Sequence, residues 1–114
     1  MLFVCYPKCS TCKKAQNVLD EKGISYTLRD IKLDNPTKEE ILEWSKKGNL
    51  ELSKFFNTSG ILYRNMNLSS KLKDMSDEEK LTLLESDGML VKRPILVTDD
   101  EVIVGFKKDK YENL

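Results

Sequence analysis

The chain has 114 residues, with 19 basic and 19 acidic side chains, three cysteines and no histidine. Zero net charge offers no field to draw it onto nucleic acid or an anionic membrane. No apolar run approaches the roughly 20 residues that cross a bilayer, and the absence of histidine excludes imidazole bases and His-ligated metal centres.

The length suits one domain with one core and no need of staples. The opening MLFVCYPKC has no basic n-region, and its apolar stretch is too short for a secretory signal, so a cytoplasmic, soluble protein is expected. Three cysteines confined to positions 5, 9 and 12 do not make a disulfide framework. With neutral charge and no evident apolar patch, a monomer is expected.

In chain order, LFVCY reads as a short buried strand. A helix follows from about Ser10 to Lys22, with Ala15, Val18 and Leu19 on one face and Gly23 placed as its C′ residue. The run ISYTLRDI alternates, putting Ile24, Tyr26 and Leu28 on one side of a second strand. Together these form a βαβ unit with a right-handed crossover. Asn35-Pro36-Thr37 stops the chain, and Thr37 with Glu40 predicts a capping box for a helix running to Gly48. Leu50, Leu52, Phe55 and Phe56 form an apolar cluster ended by NTSG, and ILYRNMN reads as a loop. Leu68, Leu72 and Met75 are spaced for a short helix. Ser76 with Glu79 caps another, which passes through Leu81 and Leu84 to Gly88. Ile95–Val97 and Val102–Val104 read as an antiparallel hairpin turning at Asp99-Asp100. A short polar helix, about Lys107 to Asn113, closes the chain. The whole is an α/β arrangement of βαβ…ββα order in a single domain, residues 1–114, with a helical insertion at about 35–89.

The chemistry gathers at Cys9-Ser10-Thr11-Cys12, where the first strand turns into the first helix. Free N–H groups and a partial positive charge at a helix N-terminus stabilise a thiolate, and Lys8, Lys13 and Lys14 add positive potential. The two-residue gap places both sulfurs within disulfide reach. Cys9, with the more open position, reads as the nucleophile and Cys12 as the resolving thiol. A zinc site would need a second ligand pair, which the sequence lacks. Cys5, on the strand, reads as core filler rather than a third redox residue.

A second candidate region is Lys92-Arg93-Pro94. A proline opening a strand here suits a cis peptide bond against the cysteine loop, although an ordinary strand-starting proline fits the same spacing. Arginine is scarce, with only Arg29, Arg64 and Arg93. Its fork geometry suits oxyanions, so Arg93 is the favoured candidate for the cysteine pocket, with Arg64 next. Arg29, on the alternating strand, reads as surface.

The segments CYPKCSTCKKA, NPT, KFFNTSGILYR, SDGMLVKRPILV and VGFKKDKYE resemble the arsenate reductase (ArsC)/Spx family over nearly the whole chain. That resemblance implies a thioredoxin-like, mixed four-stranded sheet with a helical insertion, and a cis Pro94. It implies that Cys9 attacks arsenate or a related oxyanion or disulfide substrate, while Arg64 and Arg93 hold the oxyanion. No bound cofactor is implied. Glutathione with glutaredoxin, or thioredoxin, would supply electrons as a redox partner. The second cysteine, Cys12, is the pattern of Spx-type switches rather than of glutaredoxin-coupled reductases. The implied alternative is therefore a redox-sensing transcriptional regulator that binds RNA polymerase. Lys107 or Lys108 stands where the reductases carry a third arginine; lysine keeps the charge but not the fork.

Overall fold

A computed structural model describes all residues, 1–114. Four short strands, β1 (Leu2–Cys5), β2 (Thr27–Asp30), β3 (Ile95–Val97) and β4 (Val102–Val104), form one sheet in the order β2-β1-β3-β4. β1 is parallel to β2 and antiparallel to β3, and β3 is antiparallel to β4. Six helices accompany them: α1 (Ser10–Glu21), α2 (Lys38–Gly48), α3 (Ile61–Asn65), α4 (Leu68–Lys71), α5 (Asp77–Ser86) and α6 (Lys108–Glu112).

Alternation along the strands separates two cores. Phe3, Leu96 and Ile103 are aligned across β1, β3 and β4 and face one side, where they pack with Cys5, Cys12, Ala15 and Leu19 and with Tyr111 of α6. Val4, Ile95 and Val104 are aligned on the opposite side and meet the inserted helices through Ile41, Trp44, Phe55, Phe56 and Leu84. A single sheet thus carries α1 and α6 on one face and the insertion on the other.

Local signals in the sequence account for most helix ends. α1 stops in paired hydrogen bonds from Gly23 N to Asp20 O and from Ile24 N to Leu19 O, both 3.0 Å, which satisfy its last carbonyls. The expected capping boxes are present at Thr37/Glu40 and Ser76/Glu79. Each such cap is worth about 1 kcal/mol. α5 ends at Ser86, short of the expected Gly88, because Gly88 serves another purpose. A Cβ there would stand 1.8 Å from the carbonyl oxygen of Ile31, so only glycine lets the end of the insertion pass this close to the end of β2.

Three expectations are corrected. ILYRNMN is not a loop: Ile61–Asn65 is the helix α3, held by the burial of Tyr63 against Phe56 at 6.4 Å between ring centroids. The second strand is shorter than ISYTLRDI: β2 begins at Thr27, leaving Ile24 and Tyr26 before it, and Leu28 is 55% exposed. Arg29 is not a surface residue. Its side chain is 14% exposed and grips Glu40 with two nitrogens, with Nη2–Oε1 at 2.8 Å, while Nε donates to the Asp34 carbonyl oxygen at 2.8 Å. It ties the end of β2 to the start of α2.

Candidate active site

Strand direction brings three loops to one end of the sheet. β1 ends where β3 begins, since Val4 pairs with Ile95, and β4 ends beside the same point, since Val104 also pairs with Ile95. The cysteine loop after β1, the Lys92-Arg93-Pro94 segment before β3 and Gly105–Lys107 after β4 therefore converge. The insertion supplies the opposite wall. Phe56 and Val91 form a β-bridge, Lys92 N donates to Phe55 O at 2.7 Å, and Asn57 N donates to Leu90 O at 2.8 Å. This pairing carries Asn57–Leu62 alongside Lys92.

Between these segments lies an open cleft of about 730 Å³, lined by Cys9, Thr11, Lys92, Arg93, Phe106 and Lys107 on one side and by Asn57, Ser59, Ile61 and Leu62 on the other. No aspartate or glutamate lines it, whereas three cations do. A cavity of this size and lining suits a small organic ligand as well as an inorganic anion.

Cys9 is the N-cap of α1 and is half-buried at the cleft. Its side chain makes no capping hydrogen bond, and the amides of Ser10, Thr11 and Cys12 have no acceptor within the helix. The dipole of a 12-residue helix is directed at this position. Cys12 is 2% exposed, one turn further in. Its sulfur accepts from Tyr6 N at 3.3 Å. Its thiol is held well above the usual range, first by the neighbouring Cys5 thiol and then by burial. All three cysteines are free thiols. Cys9 thus faces the cleft, and Cys12 lies buried behind it.

Arg93 enters the cleft as expected. Its guanidinium carbon sits 5.4 Å from the Tyr6 ring centroid, and its Nη1 is buried without a hydrogen-bond partner. No carboxylate pairs with it. The Arg93–Pro94 peptide bond is cis, and buried Pro94 accepts from Gly105 N at 2.8 Å. Pro94 thus lies behind the cleft wall and fixes it from within. Lys107 lines the cleft, as expected for the position of a third basic group, whereas Lys108 opens α6. Arg64 is not on the wall. It is exposed on α3, and its Nη2 donates to Ser59 O at 2.9 Å, so it braces a rim residue from outside.

Lys92, part of the second candidate region but given no role of its own there, also faces the cleft. Its Cε would lie 2.9 Å from a Cβ on Gly105, whose φ is +80°. The signal was present in the sequence as two adjacent basic residues before Pro94, with a glycine just after the last strand.

A model of the ArsC family matches residues 5–114. The chain belongs to the ArsC family. It is 48% identical to the uncharacterized protein YusI of Bacillus subtilis, over 98% of this chain and 95% of that protein. The crystal structure of an ArsC family related protein from Bacteroides fragilis superimposes with a TM-score of 0.94 at 51% identity, covering 98% of this chain and 94% of that one. A possible arsenate reductase from Streptococcus mutans UA159 gives 0.86 at 44% identity, covering 94% and 91%. The global transcriptional regulator Spx of Staphylococcus epidermidis is 26% identical over 91% of this chain and 78% of that protein. The thioredoxin-like ArsC architecture is therefore that of this chain, and both reductase-related and regulatory proteins share it.

Proposed function

We propose that this ArsC-family protein is a thiol oxidoreductase of arsenate reductase type, acting on an anionic oxyanion or disulfide substrate through Cys9 and Cys12. The observation that carries this reading is the unpartnered, buried Nη1 of Arg93 on the same cleft wall as half-buried Cys9. A cation with an unused donor beside a nucleophile at a helix N-terminus is arranged to receive negative charge. Lys92 and Lys107 add to the same potential.

With a disulfide substrate, the Cys9 thiolate attacks one sulfur and the other leaves as a thiolate. Cys12 then loses its proton and attacks Cys9 Sγ, releasing the second substrate thiol and forming the Cys9–Cys12 disulfide. With arsenate, Cys9 displaces water from arsenic(V), and attack of Cys12 on Cys9 Sγ expels arsenic(III) with the electron pair. Either course oxidises two thiols by two electrons. A dithiol donor such as thioredoxin, or glutathione with glutaredoxin, returns them.

The test is turnover of arsenate and of a carboxylate-bearing disulfide by the reduced protein, coupled to each donor in turn. Wild type turns over at least one of them and Cys9→Ser turns over neither. Equal rates for the two proteins would reject the assignment.

The similarity to Spx and the Cys9–Cys12 pair favour one second reading, a regulator that contacts RNA polymerase and uses the disulfide as its switch. Oxidation-dependent co-purification with polymerase subunits, lost in Cys12→Ser, would support it. Co-purification independent of oxidation, or none, would reject it.

A further inference from the structure

Cys12 has a sulfur neighbour on each side. Cys9 lies toward the cleft, and Cys5, 4% exposed at the end of β1, lies toward the core. The Cys12 sulfur accepts from Tyr6 N at 3.3 Å, which is the nitrogen of the peptide leaving Cys5, so the Cys12 sulfur sits against the Cys5 backbone. Cys5 and Cys12 lie together in one buried cluster. In the same cluster of eight buried residues, Tyr111 carries the only hydroxyl. Tyr111 is completely buried, and that hydroxyl has no partner. A thiol pair and an unused donor are thus sealed together behind the active cysteine.

We propose that Cys5 is a second resolving thiol, which moves the disulfide inward from Cys9–Cys12 to Cys5–Cys12 and returns Cys9 to the cleft as a free thiolate. This rests on the redox reading of Cys9 and Cys12 given above. The Cys5 thiolate attacks Cys12 Sγ, the Cys5–Cys12 bond forms, the Cys9–Cys12 bond breaks, and Cys9 leaves with the electron pair. The proton given up by Cys5 balances the one Cys9 takes up if it is protonated, so no oxidant or reductant is consumed. The Tyr111 O–H is the donor available in that cluster to a thiolate on Cys5. The protein then holds one disulfide out of solvent while Cys9 faces substrate again.

Trypsin reads the result directly. Cleavage after Lys8 and Lys13 leaves Cys5 in Met1–Lys8 and both other cysteines in Cys9–Lys13. The full-length protein is oxidised with one equivalent of diamide, denatured, alkylated without reduction and digested. The expected product is the two peptides joined through Cys12 with Cys9 alkylated, and Cys5→Ala loses the linked product and gives only the Cys9–Cys12 loop. A wild-type digest holding only that loop, with Cys5 alkylated, would overturn the transfer while leaving the redox pair intact. Peptides joined through Cys9 would overturn it as well. No disulfide in either protein would overturn the redox reading itself.

Discussion

Tyr6, just after β1, and Arg93, just before β3, meet at the same end of the central strand pair, where the guanidinium carbon of Arg93 stands 5.4 Å from the centroid of the Tyr6 ring. The aromatic face holds the cation in place without neutralising it. Tyr6 also lends its backbone nitrogen to the Cys12 sulfur at 3.3 Å. One residue thus positions both the free charge of the cleft and the buried thiol.

Arg93→Gln removes that charge. A charge-assisted hydrogen bond contributes about 1.5–3 kcal/mol, so KM for an anionic substrate should rise roughly 10- to 150-fold. Arg93→Lys should recover only part of the loss, because lysine lacks the fork. The urea midpoint should hardly move, since Arg93 has no ion pair to lose. Steady-state kinetics at constant ionic strength check this, and an unchanged KM for Arg93→Gln would refute it.

Cys12→Ser should separate the two halves of the reaction. Cys9 still attacks, but the adduct cannot be resolved from within the pair. Intact mass after exposure to an excess of a small disulfide should show one added half-molecule on Cys12→Ser and none on Cys9→Ser.

Gly105→Ala tests the support of Lys92. The new Cβ would meet Lys92 Cε at 2.9 Å, at a backbone φ of +80°. The left-handed conformation costs a non-glycine residue about 1–2 kcal/mol, and Lys92 must swing from the wall. A lower urea midpoint together with a higher KM for the anionic substrate is expected. Lys92→Ala should raise KM without the stability loss.

The Arg29–Glu40 pair predicts acid sensitivity. Arg29, followed by a weaker opposing effect of burial, lowers the Glu40 carboxyl from its ordinary value of 4.5 to about 2 in the fold. The folded value lies below the unfolded one, so the pair stabilises the protein above about pH 4.5 and loses its effect as the pH falls toward 2. Glu40 is 31% exposed, so solvent screening leaves the contribution modest. Urea midpoints of wild type and Glu40→Gln should differ at pH 7, and the gap should shrink below about pH 4.5 and close as the pH falls through about 2. A gap of constant size would contradict the pairing.

The sequence made the frame of this protein legible because the frame is local. Two capping boxes and a strand-to-helix CxxC each occupy a few neighbouring residues, and each appears where expected. What escaped depends on distant partners. Arg29 looks like a surface arginine until Glu40 folds onto it from the next helix. The insertion turns Arg64 toward Ser59 rather than into the cleft. The last helix reads as polar, yet its Tyr111 is wholly buried against Phe106, with ring centroids 5.0 Å apart. Cys5 fits its reading as core filler by burial, but only the fold shows that the core it fills is the back of Cys12.

The central claim is that an anion-binding cleft opens onto a reactive Cys9. Its most direct test is the rate of alkylation at each cysteine of the reduced, native protein, followed by peptide mass spectrometry with and without arsenate. Cys9 should be modified well before Cys5 and Cys12. Arsenate should slow that modification in wild type and have little effect in Arg93→Gln. Equal modification of all three cysteines, or a Cys9 rate indifferent to arsenate and to other anionic substrates, would contradict the account.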